Sequence, residues 1–146
     1  MIEISTQEIH IKTKGFTDII DITPNVNELL KKTGFIEGQV TVFVTGSTGG
    51  LTTIEYEPGL LKDLPEFFES IIPMGKYYKH DETWHDGNGF AHLRSALIKT
   101  SFTVPFAKGR LLLGTWQQII FIDFDNRQRS RQLVAQFMGI KKQVGA

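Results

Sequence analysis

Residues 116–124 read WQQIIFIDF, and Ile119, Ile120, Phe121 and Ile122 place four apolar side chains in succession. Successive side chains of a strand point to opposite faces, so a strand that is apolar on both must be covered on both sides. Any fold for this chain has to supply that cover, and the flanking sequence predicts it. Strands are predicted around Ile2, Ile4, Ile9 and Ile11, with a shift of face between the pairs, and in FTDIIDI. Thr23 reads as an N-cap with Pro24 at the first helical position, PNVNELLKK as a short helix, and Gly34 as its stop.

QVTVFVTG and LTTIEYE are β-branched runs joined at STGG, either as a hairpin or as two linked strands. EPGLLKDLPEFFESIIP aligns Leu60, Leu61, Leu64, Phe67, Phe68, Ile71 and Ile72 on one helical stripe. Because Pro65 cannot donate inside a helix, a break is expected near Asp63, with Asp63 to Glu66 forming a capping box. A short helix FAHLRSALI and strands SFTVPF, RLLLGT, WQQIIFIDF and SRQLVAQFM complete the chain, with turns at AKG and DNRQ. Strands in clusters, broken by two or three helices without strict alternation, define an α+β class with mainly antiparallel sheet.

The 146 residues fit one compact domain, taken here as 1–146. Sixteen basic residues balance sixteen acidic ones, so no global field draws in nucleic acid or anionic lipid, and charge recognition has to be local. With no cysteine, disulfides, thiolate metal sites and cysteine nucleophiles are excluded, and a metal would need His, Asp or Glu. The opening MIEISTQEIHIKTKG lacks the pattern of a signal peptide and no apolar run reaches membrane-spanning length, so a cytoplasmic protein with no membrane partner is expected.

Three of the four histidines fall in KHDETWHDGNGFAHLRS, residues 79–95, interleaved with acids, an amide and an arginine. His80, His85 and His92 could bind a metal or move protons, with Asp81 or Asp86 orienting one of them. The spacing matches neither a one-turn zinc motif nor a zinc finger, so a solvated polar loop stands beside the site reading. Asn88 and Arg94 add donors near a helix start, a corner that can hold phosphate, although Asn88 between two glycines also reads as a turn residue. TGSTGG lacks the lysine of a phosphate loop and leads into a strand, so it reads as a plain turn. Arg127, Arg129 and Arg131 recur at period two and would line one face of a strand, where they could clamp a diphosphate or simply meet solvent.

YYKHD, DGNGFAHLRSAL, SFTVPFAKGRLLLGTWQQIIFID and RSRQLVAQFMG, in that order, resemble the YjbQ-like family of secondary thiamine-phosphate synthases across essentially the whole chain. The most specific stretch is Gly109 to Gln117. The resemblance implies a β-sandwich-like core, a homotrimer with sites near subunit boundaries, and a weak synthase joining a pyrimidine diphosphate to a thiazole phosphate. It carries over Glu55, Asp63, His80, Asp86, Asn88, His92, Thr115, Trp116 and Gln117, with Arg94 where lysine is usual. His80, His92 and Asp86 are the implied ligands of a divalent metal ion, with Glu55 and Asp63 as further oxygen ligands. Arg94, helped by Arg127, Arg129 or Arg131, would hold a small phosphorylated ligand. The chain departs from the pattern at Gly46 and Ile54, where the family has histidine and asparagine. A metal-dependent phosphoester hydrolase and a non-catalytic ligand-binding homotrimer are the alternatives.

Overall fold

A computed structural model describes residues 1–142. The elements in chain order are β1 (Glu3–Thr13), β2 (Asp18–Asp21), α1 (Thr23–Thr33), β3 (Phe35–Val44), β4 (Gly49–Ile54), α2 (Leu60–Ile71), α3 (His80–Trp84), α4 (Gly89–Ile98), β5 (Ser101–Ala107), β6 (Arg110–Leu111), β7 (Gln118–Asp123) and β8 (Arg129–Lys141). They form two antiparallel sheets, ordered β1-β8-β3-β5-β6 and β2-β7-β4. The class is α+β, as expected. Four helices are present among the described residues, one more than the upper expectation, because the histidine-rich segment contains α3.

β7 is the middle strand of the smaller sheet and is covered on both faces. Ile119 and Phe121 join a core shared with Val40, Val42, Leu133, Ala135 and Phe137 of the larger sheet. Ile120 and Ile122 face the other way, onto Phe68 of α2, Phe90 and Ala91 of α4, and Phe124. All four are fully buried. The order of layers is therefore large sheet, small sheet, helices, with Val26 and Leu30 of α1 joining the inter-sheet core.

β3 and β4 are linked strands rather than a hairpin, since β3 pairs with β5 and β8 while β4 pairs with β7. The turn between them, residues 45–48, thus crosses from one sheet to the other at the end of the sandwich. The same holds for DNRQ, which leads from β7 in the small sheet to β8 in the large one.

Two local expectations are corrected. Thr23 starts α1 without capping it, because its hydroxyl accepts the Ile119 N–H at 2.8 Å while its own N–H donates to Asp21. α2 runs unbroken through Pro65, and Asp63 sits in its first turn rather than at a cap. The start is satisfied instead by the Glu57 carboxylate, which accepts from the Gly59 and Leu60 N–H groups. Burial of Phe68 and packing of Leu61 and Leu64 beneath the helix offset the one bond that proline withholds. Gly34, at φ 71°, ends α1 in the left-handed conformation that its sequence position predicts.

Candidate functional site

The inter-sheet core changes character at one end. On the face of β7 that carries Ile119 and Phe121, the next two positions in the alternation are Asp123 and Asp125, both fully buried. On the inward face of β8, Leu133 is preceded by Arg131 and Arg129. Arg131 donates from Nε and Nη2 to the two Asp123 oxygens at 2.7 and 2.8 Å. Arg129 meets Asp125 at 2.9 Å through Nε and 2.6 Å through Nη2. Thr13 donates to Asp123, and Thr48 donates to Asp125 while accepting from Arg131. Buried charges persist only when paired and hydrogen-bonded, and here nearly every oxygen is engaged.

This ionic layer is the floor of a cleft of about 360 Å³ lined by Gly46, Ser47, Thr48, His80, Trp84, Asp86, Asn88, His92, Arg129 and Arg131. The opposite wall comes from the histidine-rich segment. Asp81 accepts the Gly89 N–H at 3.0 Å, fixing α3 against the start of α4, and Asn126 donates to the Asp86 carbonyl at 2.8 Å, fixing the Asp86 loop against the turn between β7 and β8. The His80 and His92 rings then lie 4.2 Å apart between centroids at 33°.

Two buried polar atoms in this wall have no protein partner among the described residues, His80 Nδ1 and Asn88 Oδ1. Asn88 donates its amide to Asp125 at 3.2 Å. Burial opposes ionisation of Asp125, but the Asn126 N–H, the Asn88 amide and Arg129 together hold its pKa below the usual carboxylate value. A carboxylate accepts and cannot donate, so the Asn88 oxygen is the end left free. His80 Nδ1 lies 3.7 Å from Asp81 Oδ1 and 3.8 Å from Asp86 Oδ1, too far to hydrogen-bond. Donors about 2.1 Å from a shared tetrahedral ion stand about 3.4 Å apart, so this separation suits ligands around a cation. The three ligand atoms lie within 4.8 Å of one another. His92 lies outside that set. Its pKa is lowered by burial and then by His80, with smaller opposing contributions from Asp125, Asp86 and Asp81, which keeps the ring neutral at neutral pH.

The expected residues divide sharply. His80, Asp86, Asn88 and His92 come together, and Asp81 rather than His92 groups with His80 and Asp86. Arg94 does not join them. It is 2% exposed, donates to the Ile72 carbonyl through Nε and Nη2, to Glu69 through Nη2 and to Thr17 through Nη1, and packs on Phe90. It secures the end of α2 and does not line the cleft. Glu55 lines a separate cleft with Thr115 and Trp116, and Asp63 is exposed on α2. Gln117 is spent on Thr53 and the Gly114 N–H. His85 takes a left-handed conformation at the end of α3 and does not line the cleft. Arg127 is exposed, apart from the Arg129–Arg131 pair. Asp123, Asp125 and Thr48 were absent from the sequence expectations, although DFD and RSR alternate with the same period on either side of the DNRQ turn.

Fold and site define a class: a double-sheet α+β protein with a buried arginine–aspartate layer under a histidine–carboxylate cleft. The family model described as UPF0047 protein YjbQ-like matches residues 7–140, and the chain belongs to that family. A UPF0047 protein of Archaeoglobus fulgidus is 41% identical over 127 residues, 87% of this chain and 97% of that one. UPF0047 protein YugU of Bacillus subtilis is 35% identical over 133 residues, 90% and 97% of the two chains. Among solved structures, a YbjQ-like protein of unknown function from Sulfolobus solfataricus superposes with a TM-score of 0.91 at 26% identity, covering 96% of this chain and all of that one.

These comparisons correct the functional expectation. They describe an uncharacterised family, and none of them assigns thiamine-phosphate synthase activity or phosphoester hydrolysis. Arg94, Glu55 and Asp63 do not line the cleft. No helix among the described residues is long and apolar enough to cross a membrane.

Proposed function

We propose that the cleft binds a divalent metal ion through His80 and Asp86, with Asp81 beside them, and that the bound ion recruits a small phosphorylated ligand. The carrying observation is the pair of orphaned buried atoms, His80 Nδ1 and Asn88 Oδ1, in one cleft with two carboxylates just beyond hydrogen-bonding distance of that nitrogen. Buried polar groups without partners are uncommon, and two of them facing one polar space call for a ligand. A mixed imidazole and carboxylate set suits zinc, cobalt or manganese better than a soft thiophilic ion. When bound, the ion would act as a Lewis acid toward a phosphoryl oxygen. The protein's own groups hold the histidine ring, exclude bulk water from the floor and present arginine across the cleft.

Titration of Mn2+ and Co2+ into the purified protein, followed by calorimetry and by the Co2+ visible spectrum, tests this reading. One ion per chain is expected, with affinity at least about tenfold weaker in His80→Ala and in Asp86→Asn. Absence of saturable binding, or equal affinity in the variants, would overturn it.

A further inference from the structure

We infer that Gly46 opens an oxyanion subsite on the free edges of Arg131 and Arg129, and that this subsite accepts a phosphate-type dianion only once the divalent ion is in place. The inference rests on the metal reading above and identifies the ligand class that completes it.

Asp123 occupies Nε and Nη2 of Arg131, and Asp125 occupies the same two nitrogens of Arg129. Nη1 of each guanidinium has no hydrogen-bond partner among the described residues. The two side chains leave one face of β8 at positions i and i+2, about 6.6 Å apart along the strand, a span that one tetrahedral anion can bridge. Both forks are clamped from beneath by buried carboxylates, so little side-chain freedom is lost when the outer edges engage a ligand.

Gly46 decides whether that edge is reachable. A Cβ at this position would stand 3.2 Å from Arg131 Nη1. Gly46 is not among the positive-φ residues, so its backbone does not require glycine. What the missing side chain supplies is space beside the guanidinium, on the side that faces the cleft. A larger residue here would put carbon where a ligand oxygen would otherwise lie.

Charge sets the order of binding. The two arginines are outnumbered by four carboxylates, Asp81, Asp86, Asp123 and Asp125, so the metal-free cleft repels an anion despite its arginines. A divalent ion at His80 and Asp86 balances the excess, and an oxyanion can then lie between the ion and the two Nη1 groups.

The test is titration of inorganic phosphate into wild type, Gly46→Ala, Gly46→Val and Arg131→Lys proteins, with and without Mn2+, read by calorimetry and 31P line broadening. Thermal melts confirm that each variant is folded, and Gly46→Ala is the mild substitution should valine prove disruptive. Phosphate is expected to bind wild type only with Mn2+. Gly46→Val and Arg131→Lys are each expected to weaken it at least tenfold and Gly46→Ala by less, while Mn2+ affinity changes less than twofold. Mn2+ binding with phosphate affinity unchanged in Gly46→Val, or phosphate binding equally well without Mn2+, overturns the subsite and leaves the metal site standing. Failure of Mn2+ to bind wild type overturns both.

Discussion

The two halves of the inter-sheet layer occupy equivalent positions and hold opposite chemistry. Ile119 and Phe121 on β7 meet Leu133 and Ala135 on β8 in a fully apolar contact. A few residues along the same alternation, Asp123 and Asp125, both fully buried, meet Arg131 and Arg129, whose side chains are 11% and 32% exposed, in an ionic one. The first kind of contact stabilises the fold through apolar area and close packing. The second kind contributes little net stability, because desolvation of two charges consumes most of their attraction. Its product is a rigid pair of guanidinium edges at a cleft, so the apolar end holds the sheets together and the ionic end faces the cleft.

Phe121→Ala and Asp123→Ala test this contrast with the largest expected effects. Loss of the buried ring is expected to cost about 3–5 kcal/mol through lost transfer energy and the cavity left behind. Asp123→Ala is expected to cost about 3 kcal/mol, because it strands Arg131, which is 11% exposed in its side chain. The two deficits should respond differently to a second change. Adding Arg131→Met to Asp123→Leu is expected to restore stability to within about 1–2 kcal/mol of wild type while abolishing phosphate binding. Chemical denaturation and phosphate titration on the same proteins give both readouts, and a double variant as unstable as Asp123→Ala would erase the distinction between the two ends.

A smaller effect is expected from pH. The folded pKa of Asp125 lies below its unfolded value, so its contribution to stability is complete above the unfolded carboxylate pKa and is lost as pH falls through the folded one. Denaturation midpoints measured from pH 5 down to pH 3 should fall more steeply for wild type than for Asp125→Asn, and parallel profiles would show that the ionic layer does not govern acid lability. The smallest effect belongs to His85. His85→Asn retains a residue that tolerates φ 56° and is expected to change stability by less than about 0.5 kcal/mol and leave Mn2+ affinity unaltered. A weakened ion in that variant would bring His85 back into the site.

Local pattern carried much of the fold. The double-sided strand at Ile119 to Ile122, the α1 stop at Gly34 and the short helix from Phe90 were legible because each depends on side-chain period or backbone conformation within a few residues. The break expected near Asp63 is absent, because packing under α2 and the Glu57 carboxylate at its start outweigh the single N–H that Pro65 lacks. Half of the site was equally legible: the polar, glycine-broken segment that holds His80, Asp86, Asn88 and His92 is contiguous in the chain. The other half depends on two crossings between sheets, residues 45–48 and the DNRQ segment, which bring Gly46, Thr48, Asp123, Asp125, Arg129 and Arg131 to one end of the sandwich. No local period reports which end of a strand a distant loop will reach. Tertiary structure alone decided that Arg94, two residues from His92 and suited by charge to a phosphate, would be buried against Ile72 and Glu69, while Arg131, one of three arginines at period two that could clamp an anion or meet solvent, would face the cleft. An arginine's role is set by which carboxylates and carbonyls surround it: Arg94 takes Ile72 and Glu69 from 22 and 25 residues away, whereas Arg131 takes Asp123 from 8 residues away, across the turn that joins the two sheets.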